Sequence, residues 1–128
     1  MTEFEQIDLH VHTCLSECAH RDMTVGSILE RAAEVGYRTM ALADHVYGPE
    51  HAERVQRNLD AVSGYEGPVQ VFVAAEVCMV SPGKLAAPIK LLKRADFVLV
   101  AINHLNLSHV AEPSSRTPGS TAGASSAA

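Results

Sequence analysis

The sequence predicts an α/β protein built on a parallel sheet, and three observations predict it. Four short apolar runs, residues 6–12, 38–43, 69–75 and 96–103, are rich in Val, Leu, Ile and Ala. Stretches with helical periodicity separate them, so strand and helix alternate. Each run also ends at a side chain able to bind a metal: His12 with His10, His45 after Asp44, Glu76, and His104. Parallel strands joined by right-handed crossovers form either an open α/β sheet or part of a barrel.

Residues 6–12 read as a strand, short and apolar with β-branched positions, and 13–23 as a loop of small and polar residues. Thr24 is placed to cap a helix whose apolar positions Val25, Ile28, Leu29, Ala32 and Val35 recur at helical spacing, and Gly36 is where it stops. Residues 38–43 are short enough for a buried strand. After Gly48-Pro49, a second helix over 50–62 carries Ala52, Val55, Leu59 and Val62 on one side, and Gly64, Gly67 and Pro68 break it. Residues 69–75 form the third strand. After the turn signal Ser81-Pro82-Gly83, a weaker helical piece is expected over 85–94. Residues 96–103 form a fourth strand, nearly continuous in apolar residues, as a strand buried on both faces is.

The chain has 128 residues, one domain's worth at most, and its net charge of −5 argues against a phosphate-tracking basic surface and hence against nucleic acid. Its acidic start is followed by no long apolar run, which excludes a membrane span and a secretory leader and points to a cytoplasmic protein. The three cysteines, Cys14, Cys18 and Cys78, form no disulfide framework and read as free thiols. Residues 111–128, nearly all Ala, Ser, Thr, Pro and Gly, bury too little apolar surface to offset their ordering entropy and read as a disordered tail behind a domain at 1–110.

The chemistry is expected at the strand ends. His10 and His12, two apart on a strand, project from one face and offer two imidazoles to one point. C-terminal strand ends of a parallel α/β fold share one face, so Glu76, His45 and His104 point into the same space. Asp, Glu and His make up about one residue in six, so four such strand ends arise by chance on the order of one time in a thousand. Several imidazoles with few carboxylates favour zinc, manganese or iron over the oxygen-loving magnesium and calcium. Metal-assisted hydrolysis suits the set: a bridging carboxylate holds two cations, a water between them loses its proton, and the hydroxide attacks phosphorus in line.

The motifs IDLHVHT, ALADH, AAEV and INH, in this order and spacing, resemble the first four motifs of the PHP (polymerase and histidinol phosphatase) superfamily, over residues 5 to 110. The resemblance implies a TIM-like (β/α)7 barrel, of which about four βα units are present, with up to three zinc, manganese or iron ions at its C-terminal face. It implies a metal-dependent phosphoesterase acting on a small phosphorylated substrate such as histidinol phosphate or a nucleotide. By the same resemblance His10 and His12 are paired ligands of the first metal, Glu76 bridges two metals, His104 serves the second, and His20 and His45 serve the third. For His20 the support is that the run from His20 to His45 aligns without a gap to members with histidine at both ends, and Glu17 and Cys18 compete for its place. Glu76 and Asp44 are the candidate catalytic residues, Asp44 by orienting a ligand imidazole.

The family's later motifs, another ligand histidine after the fifth strand and an Asp-x-His near the last, have no counterpart after His104. About half a barrel is missing, which reads as a truncated, partial or frameshifted chain, with an apolar edge over 96–103 open to self-association. The alternative to an enzyme is a non-catalytic metal-binding or interaction module related to the PHP domains of DNA polymerases. His51 and His109 read as solvated surface groups, and Cys78 as a small buried residue. Cys14, Cys18 and His20 as a zinc knuckle lack a fourth ligand at usable spacing.

Overall fold

A computed structural model describes residues 6–102. His104, His109 and the tail at 111–128 lie outside the described residues, so the expectations placed on them have no structural counterpart here. The elements are β1 (Gln6–Val11), α1 (Val25–Val35), β2 (Tyr37–Val46), α2 (Glu53–Val62), β3 (Gln70–Ser81), β4 (Lys84–Leu85) and β5 (Phe97–Ala101). Strands β1, β2, β3 and β5 lie side by side in that order and all pair in parallel. The sheet curls into half of a barrel.

α1 begins and ends where its sequence signals stand. Thr24 is in extended conformation and its side chain accepts the Ser27 N–H, satisfying one of the donors left unpaired at a helix start. Gly36, at φ 94°, takes the left-handed conformation and returns its N–H to Ala32 and Ala33. α2 is preceded by a single 3-10 turn, Pro49–Ala52, which uses up the first residues of the expected helix.

The third crossover departs from expectation. Residues 85–94 form no α-helix: β3 continues past Glu76 to Ser81 and turns at Gly83, at φ 73°. The chain then pairs antiparallel through β4, and one 3-10 turn, Ile89–Leu92, completes the connection. Pro88 explains part of this, since it removes an N–H that a helix over 85–94 needs. β5 is then fixed to β3 at its start, where Asp96 donates its N–H to the Val73 carbonyl (2.7 Å) and its carboxylate accepts the Val73 N–H (2.8 Å).

Two apolar clusters fill the helix side of the sheet. Ile28, Leu29 and Ala32 of α1 pack on Met40, Leu42 and Val69; Val55 of α2 packs with Val46, Val73, Ala75, Val77 and Leu92. Because side chains alternate along a strand, the residues between these face the other way. On β2 and β3 they are the small Ala41, Ala43 and Ala74, followed by His45 and Glu76, all buried. That concave face carries the chemistry. Both outer strands expose apolar side chains, Ile7 and Leu9 on β1 and Val100 on β5, with Ile102 just beyond it. Among the described residues no helix is long and apolar enough to cross a membrane.

Candidate metal centre

The β2–β3 register sets His45 directly beside Glu76, and the end of β1 brings His10 and His12 against the same carboxylate. Nε2 of His10 lies 2.5 Å and Nε2 of His12 2.8 Å from one oxygen of Glu76, Oε1, and Nδ1 of His45 lies 3.6 Å from it. Glu76 and His45 are buried, whereas His10 has about half of its side chain in solvent, so the centre is open on the β1 side. His10, His12 and Glu76 each offer one ligand atom, and these atoms lie within 4.8 Å of one another.

Burial by itself raises the pKa of the Glu76 carboxyl, but hydrogen bonds from His10 and His12 and the nearby charge of His45 outweigh it. The group stays below its ordinary value of 4.5. A buried carboxylate held ionised between two imidazoles is a hard oxygen donor beside two borderline nitrogens. This donor set fits a divalent transition ion such as zinc, manganese or iron.

A second group lies on the other side of His12. Its Nδ1 is 3.2 Å from Sγ of Cys18, and His12, Cys18 and His45 also offer three ligand atoms within 4.8 Å of one another. His45 further stacks on Tyr47, ring centroids 4.8 Å apart. Burial first, then the negative charge of neighbouring groups, pushes the Tyr47 hydroxyl up to about 12.

His20 stands apart from both groups. It is exposed, its Nδ1 accepts the Asp22 N–H (3.2 Å), and its ring lies 3.4 Å from the Asp22 carboxylate. Glu17 is also turned elsewhere, held by Arg54 at 2.7 and 3.2 Å, which lowers its pKa to about 2. The Cys14–Cys18–His20 knuckle is not assembled, because Cys18 faces His12 instead.

Asp44 differs from expectation in its partners. It was expected to orient an imidazole, but as the neighbour of His45 on a strand it points to the opposite face. There its carboxylate, fully buried, accepts the N–H (2.7 Å) and hydroxyl (2.6 Å) of Thr13, the hydroxyl of Ser16 (2.6 Å) and the side-chain amide of Asn58 on α2 (2.7 Å). Ser16 Oγ in turn accepts the N–H of His45 (3.0 Å). Asp44 therefore fastens the loop after β1 to β2 and α2, setting His12 and His45 through the backbone.

Thr13, Ser16, Arg54 and Asn58 belong to the site's support and were not singled out from sequence. Arg54 also donates to the His45 carbonyl (2.7 Å). The polar, buried Asn58 on the apolar side of an amphipathic helix was the one available signal. His51, expected at the surface, is partly exposed, and its Nδ1 accepts the Tyr47 N–H (3.1 Å). Cys78 is buried as expected.

No family model matches the chain. A stretch of 104 residues is 31% identical to a protein of Syntrophotalea carbinolica (strain DSM 2380 / NBRC 103641 / GraBd1) named a probable phosphatase. The similarity covers 77% of this chain and 41% of that protein, so the chain spans less than half the length of the curated relative it matches.

Proposed function

We propose that the chain is the N-terminal part of a metal-dependent phosphoesterase of the PHP type, a TIM-like (β/α)7 barrel of which this chain carries about four βα units. The observation that carries this is the convergence of His10, His12 and His45 on one oxygen of a buried Glu76, where the ends of β1 and β2 meet the middle of β3. Similarity to a protein named a probable phosphatase supports the hydrolytic reading.

His10, His12 and Glu76 would hold the first metal, with His45 serving a further ion, and His20 and His104 are proposed ligands on the resemblance alone. When bound, such ions supply Lewis acidity toward a phosphoryl group and activate water near neutral pH. The chain's own residues prepare the place. Glu76 stays ionised despite burial, the alanines beneath it keep water from the concave floor, and Asp44, through Thr13 and Ser16, holds the two histidine-bearing segments in register. A small phosphorylated substrate would approach from the β1 side, where His10 is half exposed.

Elemental analysis of the purified chain after dialysis against zinc or manganese tests the metal assignment. Bound metal is expected in the wild type and a strongly reduced amount in the His10→Ala/His12→Ala double variant. Equal metal content in the two proteins would remove the assignment.

A further inference from the structure

We infer that the segment between β3 and β5 is a docking surface for an acidic stretch of another protein, one that carries a bulky apolar side chain among its carboxylates. The inference does not depend on the metal centre. All lysines of the chain, Lys84, Lys90 and Lys93, fall in this segment together with Arg94, and no acidic residue lies between Glu76 and Asp96. These cations are all exposed, and none makes an ion pair or a side-chain hydrogen bond among the described residues. Arg31, Arg54 and Arg57 on and beside the helices, by contrast, each have a glutamate partner. In a chain of net charge −5 this is a concentrated patch of the opposite sign.

Apolar side chains stand among these charges. Ile89 is 49% and Leu91 44% exposed, on the 3-10 turn that holds Lys90 between them. Beside Ile89 is an open cleft of about 490 Å³, walled by Pro49, Leu85, Ala86, Pro88 and Ile89, with Lys84 also in its wall. The segment keeps this shape because its inner side is fixed: Ala87 and Leu92 are fully buried in the core, and Ala86 donates its N–H to the Cys78 carbonyl (2.7 Å). A pre-formed apolar hollow next to unpaired cations suits an apolar anchor flanked by carboxylates, since the anchor fills the hollow while the carboxylates meet the cations.

Broader anionic partners fit less well. A bilayer or a nucleic acid extends over an area in which the rest of this acidic chain repels it, whereas a short segment meets the cationic patch alone, and charges further off than about 10 Å are screened at ordinary salt. Bilayers also bind through the long apolar face of an amphipathic helix, which a four-residue 3-10 turn does not supply.

The probe is a fluorescein-labelled peptide of glutamates around a central leucine, titrated with the full chain and read by fluorescence anisotropy. Saturable binding is expected, and serine in place of the peptide's leucine should weaken it roughly tenfold by removing the side chain that fills the hollow. The Lys90→Glu/Lys93→Glu variant should weaken it roughly tenfold as well, because attractions become repulsions. Both positions are exposed, so the variant should fold as the wild type does. A peptide with lysines in place of the glutamates should bind this variant better than the wild type. The His10→Ala/His12→Ala protein should bind the acidic peptide as the wild type does, which keeps this test separate from that of the metal centre. No saturable binding, equal binding of the leucine and serine peptides, or unchanged binding by the charge-reversed variant would overturn the inference. Vesicles of phosphatidylserine that bind the chain where the peptide does not would overturn it in favour of a membrane.

Discussion

Thr13 gives both its backbone N–H and its hydroxyl to the carboxylate of Asp44, 31 residues away, at 2.7 and 2.6 Å. The residue that follows His12 is thereby bonded to the residue that precedes His45, so two histidines on separate strands are positioned by one buried carboxylate facing away from both.

Replacing Asp44 with Asn should therefore cost more than a lost surface contact. Four donors converge on this carboxylate, and an amide answers at least one of them with another N–H in a buried place. A loss of about 3 kcal/mol in urea denaturation is expected, the range for breaking a buried charged network. Weaker metal binding should accompany it, since the segments carrying His12 and His45 lose their anchor. A change below about 0.5 kcal/mol would show that Thr13, Ser16 and Asn58 find other partners.

Acid should weaken the fold through Glu76 and Glu17. Both have folded pKa values below the ordinary 4.5, Glu76 through the His10 and His12 hydrogen bonds that overcome its burial, and Glu17, at about 2, through Arg54. A depressed carboxylate contributes stability that is fully present above 4.5 and is lost as pH falls through the folded value. Metal-free protein should thus lose stability below pH 4.5, with Glu76→Gln flattening that fall. Glu17 is more than half exposed, so Glu17→Gln should change stability by under about 1 kcal/mol. Thermal melts of the three proteins from about pH 7 down to about pH 2 decide the matter, because the loss begins near 4.5 and for Glu17 runs down to about 2.

Arg54 should matter more than its partner. Its side chain is mostly buried and it holds both Glu17 and the His45 carbonyl, whereas Glu17 is more than half exposed. Arg54→Met is expected to destabilise by about 1–2 kcal/mol, more than Glu17→Gln, because it also leaves a carbonyl under-satisfied. A double-mutant cycle read by urea denaturation measures the coupling, and equal effects of the two single changes would contradict the ordering.

The alternation of strand and helix, the caps Thr24 and Gly36, and the gathering of His10, His12, His45 and Glu76 were all legible in the sequence. Period-2 and period-3.6 patterns and strand-end placement are local signals that burial enforces. What failed to show was long-range. Arg54 meets Glu17 across 37 positions and Thr13 meets Asp44 across 31, and no periodicity marks such pairs. Asp44 was placed near the imidazoles because it is adjacent to His45 in sequence, although adjacency on a strand means opposite faces. The short hairpin in place of a third helix followed from Pro88 and a left-handed Gly83, whose combined effect outweighed an apolar spacing that suited a helix.

The sheet's two outer strands lead to a prediction about assembly. Ile7 and Leu9 on β1 and Val100 on β5, with Ile102 beyond, are each 44–56% exposed, and both strands have an unpaired edge among the described residues. Parallel strands with open apolar edges recruit further strands. Sedimentation velocity of the full chain should show concentration-dependent association, reduced by Val100→Lys. A monomer across the accessible range, with a sharp thermal transition, would mean that four parallel strands suffice and that these edges are tolerated.

Activity is where the partial match to the relative has its consequence. The chain spans 41% of a protein named a probable phosphatase, and the described centre brings three histidines to a single carboxylate. Tetrahedral ions held for structure use four protein ligands and catalytic ones three, so a site with two ions needs more donors than His10, His12, His45 and Glu76 provide. Cys18 lies at the His12 ring nitrogen opposite the one that meets Glu76. Hydrolysis of a generic phosphomonoester by this chain with manganese or zinc supplied should therefore be weak. Adding the remaining part of the relative, as a fusion or in trans, should raise it by about a hundredfold or more, since effects of this size accompany loss of residues that support a metal. Glu76→Gln should abolish the restored activity without unfolding the protein. Turnover by the chain alone at an ordinary enzymatic rate, eliminated by the same substitution, would mean instead that a second copy supplies the missing donors across the open edges of β1 and β5.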